Sequence, residues 1–310
     1  MLKNYGFLIM YSSQLVLFEH HNHLITKELT MRTIPIKIQF IDKSVQFDLV
    51  KAQNSTDHWF RHLEVQNIIT EFIDRQFLYT DPDWTNATSV LDLGCGHGFY
   101  LNQLAQKFNE KKYLGVDIDQ KAIEYAQNNA EKNVKFCCQD LYHLNLNEKF
   151  DVCFAKLLVQ HLKKPQAFLE KMSEQLNENG VVYLIDGHDD FKRFFPQLPS
   201  ITSIYQRLGE KYKQIGANRK LIYDIPLLAS NCGFDIECEN IVAGSSGRNF
   251  SHETLYEMLL INCIIIQQTF GVDVDLAQVQ TELHSWYQHP QKFGGIGLHF
   301  LKLRKTRKLH

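Results

Sequence analysis

Hydrophobic positions in the central part of the chain alternate between short strand-like runs and helical stripes. Strand-length apolar runs occupy residues 90–93, 113–116, 134–138, 150–154 and 181–185. Between them, apolar residues recur three and four positions apart, which is the spacing of one helix face. Strands that alternate with helices are typical of a parallel sheet covered by helices. The pattern therefore predicts an α/β fold.

Three glycines follow the first strand in the stretch VLDLGCGHGF, which spans residues 90–99. Strand, glycine loop and helix in this order form a nucleotide-binding cradle. A dinucleotide fingerprint would need another glycine at the position of Phe99, and a Walker loop would need a lysine and a hydroxyl after its last glycine. The loop therefore favours a cofactor that has a ribose but no phosphate.

Acidic residues mark the ends of the first three strands. Asp92 interrupts the first strand, and Asp117 follows the second at about 20 residues beyond the loop, the spacing of a ribose-binding carboxylate. Asp140 ends the third strand, where a carboxylate can accept from an adenine amino group. One nucleoside would meet all three.

These segments resemble, in order, the motifs of class I S-adenosylmethionine-dependent methyltransferases: VLDLGCGHG, GVDID, CCQD and FDVCFAKLLVQHL, over about residues 85–186. The resemblance implies a Rossmann-like, doubly wound, seven-stranded and mostly parallel sheet with an antiparallel last strand. It also implies S-adenosyl-L-methionine as the cofactor. The cofactor-binding residues that it implies are Asp92, Gly94, Cys95, Gly96, Gly98, Asp117, Ile118, Asp140, Leu141 and Ala155. The alternative is a structural glycine turn in another α/β protein.

Candidate chemistry follows the fourth and fifth strands. After the fourth strand, His161 is the candidate general base, because a neutral imidazole accepts a proton near neutral pH; the alternative is that it only holds the loop. After the fifth strand, residues 186–190 form the densest polar cluster, in which Asp186 and His188 are candidate substrate contacts. A hard metal would suit these carboxylates, but a solvated loop explains them equally, and we predict no metal site.

The pattern outside this region predicts additions to the domain. An extension over residues 1–53 contains an alternating stretch, 34–49, that predicts a β-hairpin. The methyltransferase domain would occupy 54–310, with a helix over 57–78, a helical cap insertion at about 190–222 and a helical insertion at about 251–292. The candidate substrate contacts in these additions are Trp59, Tyr205, Arg219 and Tyr223.

Composition narrows the class of partner. The 310 residues carry a net charge of −2, which makes nucleic acid an unfavoured partner, and the basic tail over 302–308 is predicted to be a solvated end. Seven cysteines, an odd number, indicate reduced thiols in the cytoplasm. The apolar run 258–266 is too short to span a bilayer, and it predicts either a buried helix or a homodimer interface.

The sequence thus predicts methyl transfer from S-adenosylmethionine to a small-molecule acceptor. Two alternatives stay open: a methyltransferase that acts on protein or RNA, and a cofactor-binding protein without turnover. A deep pocket closed by residues 201–215 would favour the small acceptor, whereas an open basic groove would favour a macromolecule.

Overall fold

The structure is a computed structural model that describes residues 7–11, 14–18, 24–28 and 55–306. Its first three strands are β1 (Phe7–Tyr11), β2 (Gln14–Phe18) and β3 (Leu24–Glu28), which form a small antiparallel sheet. The β-hairpin predicted over 34–49 lies outside the described residues. The predicted extension over 1–53 therefore stays a prediction.

The main sheet has eight strands, and seven of them follow the order β10-β11-β8-β7-β4-β5-β6. The strands β6, β5, β4, β7 and β8 are parallel to one another, whereas β11 is antiparallel to both β8 and β10. This confirms the predicted Rossmann-like sheet with an antiparallel last strand. The strands are β4 (Ser89–Leu93), β5 (Lys112–Asp117), β6 (Val134–Cys138), β7 (Phe150–Lys156), β8 (Leu176–Gly187), β9 (Arg193–Phe195), β10 (Phe234–Ser245) and β11 (Phe293–Lys305).

Helices flank the sheet and extend beyond its edge. Asp119 and Ser251 cap α4 and α8, because their side chains accept from backbone N–H groups of the first turn. Asp224 precedes α7 in a helical backbone conformation, and its side chain makes no such bond. The helices are α1 (Ser55–Ile73), α2 (Pro82–Asn86), α3 (Phe99–Lys107), α4 (Gln120–Asn128), α5 (Pro165–Gln175), α6 (Pro199–Gln214), α7 (Ile225–Asn231), α8 (His252–Phe270) and α9 (Leu276–Gln288).

Several predicted boundaries differ from the structure. The helix expected over 57–78 ends as α1 at Ile73 and continues as a π-helical turn, Asp74–Leu78. The short helix α2 follows this turn, because the Asp81 side chain accepts from Asp83 N and Pro82 occupies the first turn. Strand β8 begins at Leu176, earlier than the apolar run over 181–185 indicated.

Three buried clusters hold these layers together. Neighbouring residues of β7 point to opposite faces of the sheet: Val152 packs with α3 and α4, and Cys153 packs with α5 and α7. A third cluster joins α1, α6, α8 and α9. It contains the apolar run 258–266, so α8 is a buried helix, and none of the described helices is both long and apolar enough to cross a membrane. These four helices therefore form a helical layer with a core of its own.

The basic end of β11 is ion-paired rather than solvated. Lys302 is 8% exposed, and its Nζ donates to Asp81 and Asp83. Arg304 pairs with Asp83 and Glu237. The prediction of a solvated tail is wrong for these residues, because β11 lies inside the sheet between β8 and β10. The tail residues from 307 onward lie outside the described part.

Candidate active site

A cavity of about 520 Å³ lies at the carboxyl edge of the parallel strands. The glycine loop after β4 and the end of β5 line one part of it, and α1, α6 and α8 line another. The predicted site residues that it brings together are Trp59, Asp92, Gly94, Cys95, Gly96, Asp117, Ile118, His161, Tyr205 and Arg219.

The glycine loop presents bare backbone to this cavity. Gly94, Gly96 and Gly98 have φ values of +77°, +55° and +80°, a region that residues with a side chain rarely adopt. Gly94 N donates to Val116 O at 2.8 Å, which fastens the loop to β5. A Cβ added to Gly96 would lie 2.8 Å from Leu63 Cδ1, so α1 packs closely over the loop.

Asp117 is held at the tip of β5 by two backbone donors. Its Oδ2 accepts from Gly96 N at 2.8 Å, and its Oδ1 accepts from Asp119 N at 2.9 Å. An ionised carboxylate has about four acceptor sites, so these two bonds leave capacity for the hydroxyls of a ribose. Because the bonds fix the carboxylate beside the loop, its orientation fits the predicted ribose contact.

Asp92 lies in the same part of the cavity and is 3% exposed. Burial raises its pKa to about 7; Lys156 acts against this rise and Asp117 adds to it. The carboxyl group is therefore near its midpoint at neutral pH, and an arriving cation would favour its ionised form.

At the helical part of the cavity, His161 faces Tyr212 of α6. His161 follows β7 on the turn Val159–His161, and its Nδ1 is 3.1 Å from Tyr212 Oη, a hydrogen bond whose donor depends on the tautomer. Its imidazole is accessible, although protein atoms surround most of it. This enclosure lowers its pKa to about 4, and Arg219 acts in the same direction. The ring is therefore neutral at pH 7.

Arg219 lines the cavity as a fixed donor. Its Nε and Nη2 donate to the two carboxylate oxygens of Asp189 at 2.8 and 2.9 Å, and its Nη1 donates to Gln160 Oε1 at 2.8 Å. Lys192 Nζ also donates to Asp189, at 2.6 Å. Although burial acts to raise it, the pKa of Asp189 stays well below its usual range because of these two cations.

Some predicted site residues lie outside the lining of this cavity. Gly98 begins α3, and Ala155 is fully buried within β7. Asp140 is at the tip of β6, where its Oδ1 accepts from Tyr142 N at 3.0 Å, and Leu141 follows it in the same turn. These four residues therefore lie in the glycine loop, within the sheet and at the end of the third parallel strand, and not in the cavity lining.

In the cluster over residues 186–190, Gly187 and Asp189 line the cavity, whereas Asp186 and His188 do not. Asp186 is fully buried, and its carboxylate accepts from Gln160 N at 3.0 Å and Gly187 N at 2.7 Å. His188 Nδ1 is 3.0 Å from Tyr223 Oη. Asp186, His188 and Tyr223 therefore do not line this cavity, and the substrate contacts predicted for them stay predictions. Within the described residues, no group of three His, Cys, Asp or Glu side chains is arranged to hold a metal ion.

The sequence did not single out several residues that line the cavity. His62 of α1 is 5% exposed, burial lowers its pKa to about 3, and its Nδ1 has no hydrogen-bond partner among the described residues. The available signal in the sequence was a row of polar residues at helical spacing on α1. Such a row was missed because it is also typical of a solvent-exposed helix face. The other cavity-lining polar residues of this kind are Gln66, Asn67, Thr70, Lys192, Tyr212 and Asn262.

The residues present fit an adenosyl cofactor without phosphate. The glycine loop has no room for side chains at Gly94 and Gly96, because a Cβ at either position would lie 2.8 Å from a leucine side chain. Asp117 is held beside the loop with free acceptor capacity, as the predicted ribose contact requires, and the carboxyl group of Asp92 can ionise next to a cationic group. These features match what S-adenosylmethionine requires of a protein.

Known proteins support this interpretation. A family model described as "Methyltransferase domain" matches residues 85–220. Malonyl-[acyl-carrier protein] O-methyltransferase of Bacillus cereus is 32% identical over 110 residues, which are 35% of this chain and 41% of that protein. Ribosomal protein L11 methyltransferase of Dictyoglomus turgidum is 40% identical over 101 residues, 32% of each chain. (S)-coclaurine N-methyltransferase of Papaver somniferum is 33% identical over 100 residues, 31% of this chain and 28% of that protein.

The chain spans less than half of the length of each of these three relatives, and their names give different acceptors. What they share is methyl transfer, and the match of residues 85–220 covers the glycine loop, Asp117 and the turn that carries His161. The order of the main sheet is that of the fold expected from the motifs. Residues 85–220 of the chain therefore match the methyltransferase domain family, in a sheet of the order expected for class I S-adenosylmethionine-dependent methyltransferases.

Proposed function

We propose that the chain transfers a methyl group from S-adenosylmethionine to a small-molecule acceptor. The observation that carries this proposal is that one cavity includes both the glycine loop and the helical layer. The cofactor, when bound, supplies an electrophilic methyl group. The protein then has to align the acceptor and exclude water, and alignment alone provides a large part of the rate.

The size and lining of the cavity support a small acceptor. About 520 Å³ falls within the roughly 300–1,000 Å³ that is usual for small-molecule sites. The helix predicted to close the pocket is α6, and it contributes Tyr205, Leu208 and Tyr212 to the lining. Apolar side chains of α8, among them Met258 and Ile265, lie around the same space.

A macromolecular acceptor is the second candidate, because the relatives include a methyltransferase of a ribosomal protein. A macromolecule could dock on the basic tail, but Lys302 and Arg304 are engaged in ion pairs. The small acceptor is therefore preferred. A homodimer and a cytoplasmic location stay predictions; the free thiols of the seven cysteines agree with a reducing compartment.

We assign the following roles within this proposal. Asp92 and the loop backbone bind the methionine end, Asp117 binds the ribose, and Asp140 with Leu141 contacts the adenine. His161 takes the proton of the acceptor, which requires the tautomer that donates Nδ1–H to Tyr212 Oη and leaves the Nε2 lone pair available.

The test is methyl transfer from methyl-labelled S-adenosylmethionine by the purified full-length protein. The acceptors are a panel of phenols, amines and carboxylic acids, and in parallel a protein extract and total RNA. We expect label in a small molecule, lost in Asp117→Ala and retained in Asp235→Ala, which changes an exposed carboxylate of β10. Label in protein or RNA alone would support the second candidate, and cofactor binding without any transfer would contradict an enzymatic role.

A further inference from the structure

A lysine in the cavity lining has no role in the account so far. Lys156 is the last residue of β7, and its side chain is 5% exposed. Its Nζ donates to Asp74 Oδ2 at 2.7 Å and lies 3.9 Å from the centroid of the Tyr100 ring. A charge so enclosed needs compensation from its surroundings or from a ligand.

Two elements hold this lysine in place. Asp74 begins the π-helical turn after α1 and is 1% exposed, and its Oδ1 accepts from Tyr100 Oη at 3.1 Å. Tyr100 lies in the first turn of α3, directly after the glycine loop. The ammonium group is therefore fixed beside the loop that is assigned to the cofactor.

The same end of the cavity contains a side chain of the opposite charge. The ammonium of Lys156 is close enough to Asp92 to lower its pKa against the effect of burial. Asp92 and Lys156 thus present a carboxylate and an ammonium to one space. An amino-acid group carries the complementary pair, an ammonium and a carboxylate.

An ammonium has three donors, and among the described residues it donates one hydrogen bond, to Asp74. The Tyr100 ring stabilises the cation through its face and accepts no conventional hydrogen bond. Donor capacity therefore remains for a ligand.

We propose that Lys156 binds the carboxylate of the methionine moiety of S-adenosylmethionine, with Asp74 and Tyr100 as positioning residues. This inference rests on the proposed function. Lys156 lies inside the matched region 85–220, whereas Asp74 lies before it. The segment after α1 thus contributes to recognition of the amino-acid end of the cofactor.

The test is calorimetric titration with S-adenosylhomocysteine and with its decarboxylated analogue, which keeps the ammonium and lacks the carboxylate. We expect wild type to bind S-adenosylhomocysteine at least about tenfold more tightly, as a charge-assisted hydrogen bond allows. In Lys156→Met this preference falls to near one, whereas Lys171→Met, which changes a surface lysine of α5 paired with Glu174, keeps it.

Removing Lys156 alone leaves the Asp74 carboxylate buried, so the double variant Lys156→Met with Asp74→Asn is measured as well, with its folding checked by circular dichroism. It is expected to lose the same preference. If the variants bind both ligands more weakly by one common factor, or keep the wild-type preference, the carboxylate contact is wrong. If wild type binds neither ligand, both this inference and the proposed function fail. Failure of the carboxylate contact alone is thereby distinguished from failure of the proposed function.

Discussion

The hydrogen bond between His161 and Tyr212 is the contact on which the proposed acid–base chemistry depends. With His161→Ala, we expect turnover to fall at least about 10²-fold, because general-base catalysis contributes that much, while the affinity for S-adenosylmethionine changes little. Tyr212→Phe should lower turnover less, since it removes the partner that selects the tautomer. Steady-state kinetics with labelled cofactor measures both.

The matched control is His289→Ala, which changes a histidine at the end of α9 outside the cavity lining. Its turnover should equal that of wild type. If His161→Ala also keeps normal turnover across pH 6–9, His161 is not the base and only supports its loop.

A second prediction at the scale of one residue concerns Asp92 and the pH dependence of cofactor affinity. Its folded-state pKa is about 7, so its ionised fraction falls as the pH decreases through 7. If the ionised form binds the cationic methionine end, cofactor affinity should decrease from pH 8 to pH 6 and approach tenfold per pH unit below the pKa.

Two of the cavity histidines, His62 and His161, have pKa values of about 3 and about 4, so neither titrates in this window. Lys192 of the lining has a pKa of about 8, and Asp92→Asn separates its contribution from that of Asp92. Asp92→Asn should bind more weakly at pH 8 and show little pH dependence. Calorimetric titrations at three pH values measure this, and an equal slope in wild type and Asp92→Asn would exclude Asp92 as its source.

At the scale of elements, two glycines test how the loop and the cap are built. Gly98 begins α3 at φ +80°, and a Cβ there would lie 2.5 Å from Phe136 Cζ. Gly98→Ala should therefore lower the free energy of unfolding by about 1–3 kcal/mol. Gly209 lies inside α6 with open space around it, so Gly209→Ala should raise that free energy by about 0.5–1 kcal/mol.

Urea unfolding followed by circular dichroism measures both changes. The pair is informative because the chemical change is identical and the signs differ. Equal effects of the two substitutions would contradict the backbone geometry of the loop.

Elements were predictable where a strong local pattern defined them. The apolar runs identified β4 to β8, and Gly98 located the start of α3. The three-residue β9 was missed, because its ladder to β11 depends on a partner about a hundred residues away in sequence. The early start of β8 at Leu176 was missed because polar residues separate it from the apolar run.

At the scale of the whole molecule, the sequence predicted more of the proposed cofactor part of the site than of the proposed acceptor part. Most of the proposed cofactor contacts lie between residues 92 and 118, within continuous motifs, and Asp92, Gly94, Cys95, Gly96, Asp117 and Ile118 line one cavity. The acceptor half is assembled from α1, α6 and α8, which are distant in sequence, so His62 and Asn262 gave no local signal. The polar cluster after β8 looked like a substrate wall, but its Asp186 supports a turn.

The most direct test of the central claim is isothermal titration of the purified full-length protein with S-adenosylmethionine and, separately, with NAD. We predict saturable binding of S-adenosylmethionine alone, weakened in Asp117→Ala because the ribose acceptor and the anchor of Gly96 N are both lost. Binding of NAD, or of neither ligand, would contradict the assignment of the glycine loop to S-adenosylmethionine.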